Sequence, residues 1–73
     1  MNAAASLREH LAQAEQHVAE GVQHIDRQRH LVAELDASGH DATEARKLLS
    51  SFEDLQAIFV ADRDRLLAEL RKA

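Results

Sequence analysis

Histidines stand seven residues apart at His10, His17 and His24. Because seven residues make nearly two turns of an α-helix, the three side chains would form a row along one side of a helix. Imidazole is a common metal ligand and titrates near neutral pH, so the row could bind a metal ion or sense pH. A structural role is the alternative, in which the rings cover apolar surface and keep their nitrogens in water. We expect this structural role.

Carboxylates would approach the row if the chain folds into a helical hairpin. A turn near Gly39 sets an antiparallel register that brings His17 close to Asp62, and it brings His10 close to Glu69. Imidazole and carboxylate are ligand types of metal sites in helical bundles. However, no histidine follows a glutamate by three residues, as it does in the ferritin-like di-iron bundles. The sequence therefore predicts no metal site and no cofactor. The candidates that a metal would use are His10, His17, His24, Asp62 and Glu69.

No catalytic residue is predicted. The chain has no cysteine, and its serines lie near a helix start, in the loop or in the Ser50-Ser51 pair. Asp62 stands at a position where the repeat favours an apolar residue, but a catalytic role would need a pocket and a second catalytic group. We therefore expect a protein that is not an enzyme.

The element that would carry the histidines is a long first helix. Residues recur along it at alternating spacings of four and three: Leu7, Leu11, Ala14, Val18, Gly21, Ile25, Gln28, Val32 and Leu35. This seam predicts a helix over about residues 4–37. A second helix is predicted over about residues 42–72. Its seam is Ala45, Leu48, Phe52, Leu55, Phe59 and Leu66.

Local signals delimit the two helices. Ser6 is followed three residues later by Glu9, which is typical of a helix start. Asp41 precedes Glu44 in the same way. Between them, Gly39 can adopt a positive φ and close the first helix. Residues 38–41 are therefore predicted to form the turn.

Together these signals predict an all-α fold, an antiparallel and coiled-coil-like two-helix hairpin that fills residues 1–73 as a single domain. An isolated hairpin would leave Val22, Leu31 and Ile58, beside the seam, in water. We therefore expect the hairpin to dimerise into a four-helix bundle, with trimers and larger bundles as alternatives. The predicted oligomer interface consists of Val18, Val22, Ile25, Gln28, Leu31, Val32, Phe52, Leu55, Ile58 and Phe59.

The first seam contains two residues that the repeat does not favour. Gly21 costs about 1 kcal/mol relative to alanine in a helix interior. Close approach of Phe59 would explain the glycine, and a hinge is the alternative. Gln28 is polar, and a polar residue in a seam usually fixes the register or the oligomeric state.

The composition rules out disulfides and argues against several kinds of partner. The chain has 73 residues, no proline and no cysteine, and its nine Lys and Arg are scattered among thirteen Asp and Glu. The net charge of −4 disfavours anionic membranes and makes nucleic-acid binding an unexpected role, although Arg27 to His30 is a short basic stretch. Met1 to Ser6 has no cationic start followed by a long apolar run. We expect a cytoplasmic protein.

Much of residues 18–70 resembles a helical-hairpin segment that recurs in short uncharacterised bacterial proteins and, occasionally, in appendages of signalling proteins. The segments that carry the resemblance are His24-Ile25-Asp26-Arg27-Gln28-Arg29 through Leu35, Gly39-His40-Asp41, Glu44-Ala45-Arg46-Lys47-Leu48-Leu49, Phe52-Glu53, and Ala61-Asp62-Arg63-Asp64-Arg65-Leu66. The resemblance implies no known activity. It implies an assembly or regulatory module, in which Gln28 and the Gly39-His40-Asp41 turn are characteristic.

The sequence thus predicts a small non-enzymatic helical module that self-associates and serves in protein–protein interaction or regulation. A dimer is the expected state, and the identity of any other protein partner is open. Two alternative functions remain. One is a hairpin dimer that binds nucleic acid through its basic residues, and the other is a bundle that binds metal through the histidine row.

Overall fold

The computed structural model describes residues 2–72, which form two long helices and a short loop. Helix α1 spans Ala3–Ala37 and helix α2 spans Thr43–Lys72. They pack against each other antiparallel, since His17 meets Phe59 and Gln28 meets Ala45. The hairpin measures 57 × 15 × 14 Å. The predicted all-α hairpin is therefore confirmed, and no strand occurs in the described part of the chain.

Helix α1 begins earlier than its predicted start signal. The Asn2 side chain accepts a hydrogen bond of 2.9 Å from the backbone N–H of Ala4. The backbone N–H of Ser6 donates to the carbonyl of Asn2, so Ser6 lies inside the first turn. The prediction that Ser6 and Glu9 start the helix was wrong. Asparagine caps a helix as well as serine does, and the alanines that follow Asn2 favour helix.

The turn closes α1 through a glycine, as predicted. Gly39 has a φ of 74°, and it is the one residue with positive φ among residues 2–72. The N–H of His40 donates to the carbonyl of Leu35, and the N–H of Gly39 donates to that of Asp36. These two bonds form a Schellman motif, which satisfies carbonyls that the end of the helix leaves free.

We expect Gly39→Val to lower the free energy of unfolding by about 1–3 kcal/mol, because a β-branched residue is strained at positive φ. A Cβ at Gly39 would meet no atom within 4 Å, so the loss would come from the backbone alone. Gly39→Asn is the matched control, since asparagine tolerates this conformation better. Urea denaturation measures both, and equal losses would show that positive φ is not what position 39 requires.

Asp41 caps the start of helix α2, as predicted, but the contact from Glu44 back to the cap that usually completes this pattern does not form. A carboxylate oxygen of Asp41 accepts hydrogen bonds from the hydroxyl of Thr43, at 2.6 Å, and from its backbone N–H, at 3.0 Å. These bonds hold the pKa of Asp41 below its ordinary value. Glu44 does not reach back to the helix start but accepts from Lys47 at 3.3 Å. Arg46 bridges the two helices at the turn by binding both carboxylate oxygens of Asp36.

The seam between the helices contains few buried side chains. Within the described residues, these are Ala14, Ala42 and Leu66, with Gln28 as the buried polar residue. The other seam residues of α1 and both phenylalanines of α2 are half-buried. Leu48 and Leu55 were placed in the seam by the repeat, yet they lie beside it and are exposed. The hairpin alone therefore has a thin core.

Candidate functional site

One side of the hairpin carries two parallel rows of residues, which we call the histidine face. Residues seven apart lie on one side of a helix, so each row follows its helix. The α1 row is His10, His17, His24 and Leu31, and the α2 row is Leu48, Leu55, Asp62 and Glu69. The rows flank shared clefts. One cleft of about 170 Å³ is lined in part by His17, His24 and Leu55, and a second in part by His10, His17, Asp62 and Glu69.

Two histidines of this face pack against the phenylalanines of α2. The ring centroids of His17 and Phe59 lie 5.0 Å apart with the rings tilted, and those of His24 and Phe52 lie 5.8 Å apart in an edge-to-face contact. All three histidines of the row are exposed. The imidazole rings therefore cover apolar surface while remaining open to water, which supports the structural role over the metal-binding one.

The carboxylates of the face bind an arginine instead of the histidines. Arg65 donates to Asp62 at 2.6 Å and to Glu69 at 3.0 Å. These hydrogen bonds raise the pKa of Arg65, and the one to Asp62 has the larger effect. The expected pairs of His17 with Asp62 and of His10 with Glu69 do not form, although all four residues line one cleft. Residues 2–72 contain no group of three or more His, Asp and Glu side chains arranged to hold a metal ion.

Gly21 makes room for a glutamine, so the prediction that Phe59 approaches it was wrong. Gln56 donates from Nε2 to the carbonyl of Val18 at 2.9 Å. A Cβ on Gly21 would lie only 2.6 Å from Cδ of Gln56. The Oε1 atom of Gln56 is buried and accepts no hydrogen bond within the described residues. The absence of a side chain at Gly21 is what lets this amide enter the seam.

We expect Gly21→Ala to leave the free energy of unfolding nearly unchanged. The gain of about 1 kcal/mol in helix propensity is offset by loss of the Gln56 hydrogen bond, worth about 0.5–1.5 kcal/mol. In a Gln56→Ala background the space is empty, so Gly21→Ala should stabilise by about 1 kcal/mol. Thermal denaturation of the four proteins measures this coupling. Equal effects of Gly21→Ala in both backgrounds would contradict the contact.

A second glutamine crosses the seam in the opposite direction. Gln28 is 8% exposed and donates from Nε2 to the carbonyl of Ala45 at 2.9 Å. Gln56 of α2 and Gln28 of α1 thus each bind the backbone of the facing helix. A slip of one helix along the other would break both bonds inside the seam, where a lost partner is costly. This geometry supports the prediction that Gln28 fixes the register. Asp62, the other polar residue of the repeat, lies on the histidine face.

Four of the five large apolar side chains that are exposed within the described residues belong to the histidine face or its edge. Leu31, Leu48 and Leu55 are 43–47% exposed, and Ile58 at the edge of the face is 64% exposed. The fifth, Val22, is nine residues from Leu31, which is half a turn around α1. Val22 and Leu31 therefore lie on different sides of α1. The oligomer interface that includes both of them stays a prediction.

On the remaining surface, acidic and basic side chains pair with each other. Arg29 binds Glu53 at 3.2 Å across the helices, and His30 lies 3.7 Å from Asp26. Gln28, in the middle of the short basic stretch, is buried. The stretch therefore does not present a continuous basic surface, and its geometry does not favour the nucleic-acid alternative.

No family model, curated protein or solved structure matches this chain. The resemblance to bacterial helical-hairpin segments stays a prediction. Neither α1 nor α2, over the residues that the structure describes, is long and apolar enough to cross a membrane.

Proposed function

We propose that this protein is a small non-enzymatic helical module of the cytoplasm that self-associates, a dimer being the favoured state, and that serves in protein–protein interaction or regulation. The observation that carries the proposal is the clustering of exposed apolar side chains on one side of the hairpin. Leu31, Leu48, Leu55 and Ile58 share one side while being 43–64% exposed. Clustered apolar side chains mark interaction surfaces, whereas single ones are common on any protein.

The thin core supports the same proposal. A scaffold of 73 residues obtains only about 3–5 kcal/mol from a single core. Small proteins add disulfides, metals or partner subunits to this, and the chain has no cysteine for a disulfide. Self-association supplies the missing burial, because it removes the exposed leucines from water.

A non-enzymatic role is supported by how the polar groups of the face are bound. Asp62 and Glu69 both accept hydrogen bonds from Arg65. Two serines outside the face are also bound locally, since the hydroxyl of Ser51 donates to the carbonyl of Lys47 and that of Ser38 donates to the carbonyl of Glu34. These groups serve the local structure rather than a reaction.

If the chain dimerises, its melting temperature should depend on protein concentration, because association stabilises the folded state by mass action. We expect the midpoint to rise by about 10 °C between about 1 and 100 μM, taking the unfolding enthalpy of two chains as about 0.7 kcal/mol per residue. Circular dichroism at 222 nm measures it. A midpoint that is constant over this range would contradict self-association.

A further inference from the structure

We infer that two copies of the chain pack face to face through the histidine face, with their loops at the same end. This inference rests on the proposed self-association and goes beyond it, since it names the surface and the orientation. A second copy is the partner that the dimensions and the chemistry of the face fit. Two observations carry the inference, namely the size of the face and the change in its character along its length.

The size of the face is that of a stable dimer interface. One broad side of the hairpin measures 57 × 15 Å, or about 850 Å². A standard protein–protein interface buries about 800 Å² on each partner. The face is also the more apolar side of the hairpin, since it holds three of the five exposed large apolar residues and has Ile58 at its edge. A second copy of the chain is enough to bury this apolar surface.

The face changes in character along its length, and this change determines the orientation. Near the loop, the two rows present Leu31 and Leu48. At the other end they present His10 and Glu69, which line a cleft together with Arg65. The face is thus apolar at one end and charged or titratable at the other, so the two possible orientations of a second copy differ in what they bring together.

With the loops at the same end, the two-fold axis runs parallel to the helices, and α1 lies across from α2 of the partner. Leu31 then faces Leu48 of the partner subunit, His17 faces Asp62 of the partner subunit, and His10 faces Glu69 of the partner subunit. At the loop end, leucine meets leucine. The imidazoles of His10 and His17 each meet a carboxylate, and Arg65 supplies a positive charge at the same end. His24 faces Leu55 of the partner subunit.

With the loops at opposite ends, each row meets its own reversed copy. Leu48 would then face Glu69 of the partner subunit, and Leu55 would face Asp62 of the partner subunit. Carboxylates that face leucines lose water and gain no partner beyond Arg65 of their own helix, which is costly. The same-end arrangement avoids this loss and is therefore the one that the face fits.

The orientation is tested by the distance between two loops in one dimer. The chain has no cysteine, so Ala37→Cys, an exposed position beside the turn, gives one site for a nitroxide label. Pulsed electron paramagnetic resonance should give a label separation below about 30 Å, because packed helix axes lie about 10 Å apart. A separation close to the 57 Å length of the hairpin would overturn the same-end arrangement.

The choice of face is tested by a matched pair of substitutions in the full chain. Leu55→Asp changes the histidine face, whereas Val22→Asp changes another exposed site, which lies half a turn away from Leu31 on α1. We expect Leu55→Asp to raise the dissociation constant at least about 100-fold, since the interface loses a leucine and the new carboxylate must give up its water. Val22→Asp should change it less than about threefold, as is usual for surface substitutions.

The outcomes separate this inference from the proposed function. A wild-type chain that is monomeric at 100 μM would overturn both. A dimer that Val22→Asp dissociates and Leu55→Asp does not would overturn the face alone and leave self-association intact. The label distance is measured on a chain with unchanged interface residues, so it decides the orientation even if Leu55→Asp fails to fold.

Discussion

Leu66→Ala is expected to lower the free energy of unfolding by about 2–5 kcal/mol, which is the usual loss when a buried leucine is truncated. Leu66 is 3% exposed and is the largest of the buried apolar side chains of the described residues. A scaffold of this size has only about 3–5 kcal/mol to lose. We therefore expect the variant to be largely unfolded at 25 °C, as measured by far-ultraviolet circular dichroism with urea denaturation.

Val22→Ala is the matched control for this substitution. Val22 is 58% exposed on the side away from the histidine face. Its truncation should change the free energy of unfolding by less than about 0.5 kcal/mol, as is typical of surface positions. Similar losses at Leu66 and Val22 would show that the seam does not run through Leu66.

Ala14→Asp is expected to have the second large effect, a loss of at least about 3 kcal/mol, because it leaves a charge buried without a partner. Ala14 is 3% exposed in the middle of the α1 seam. The loss should shrink as the pH falls and the carboxyl group takes up a proton, because the protonated form is the cheaper one to bury. Thermal denaturation at pH 7 and pH 4 measures both effects.

The control for Ala14→Asp is Ala12→Asp, an exposed position in the same helix. It introduces the same side chain with the same helix propensity, so its loss should stay below about 1 kcal/mol. If Ala12→Asp unfolds the protein as strongly as Ala14→Asp, the predicted orientation of α1 around its axis is wrong.

The helices and the turn follow from local patterns, which is why the sequence predicts them well. The apolar repeat requires two long helices, and Gly39 supplies the positive φ that ends the first. The start of α1 was less predictable, because the sequence offers two good caps within five residues. Ser6 has the stronger pattern, with Glu9 after it. The structure uses Asn2, because residues 3–5 are alanines that extend the helix at little cost.

The contacts of the histidine face were harder to predict, since several partners compete for each group. The hairpin register places His17 near Asp62, but Arg65 follows Asp62 by three residues and precedes Glu69 by four. Both spacings pair side chains within one helix. An arginine always carries its charge, whereas an imidazole near neutral pH often does not, so the local pairs form. The spacings of three and four residues within α2 are the sequence signal that predicts these two pairs.

The role of Gln56 could not be read from the repeat. Gln56 is not a seam position, and a long polar side chain can point to water or across the seam with equal ease. Its direction depends on the space beside Gly21, which only the packed helices define. The same holds for Leu48 and Leu55, because a repeat fixes the side of a helix but not how far the facing helix extends over it.

Self-association is the central claim, and sedimentation equilibrium at micromolar concentration tests it most directly. The chain has a mass of 8.1 kDa. We predict a species of about twice that mass, in reversible equilibrium with the monomer. A single species of 8.1 kDa that keeps its full helicity at these concentrations would contradict the claim.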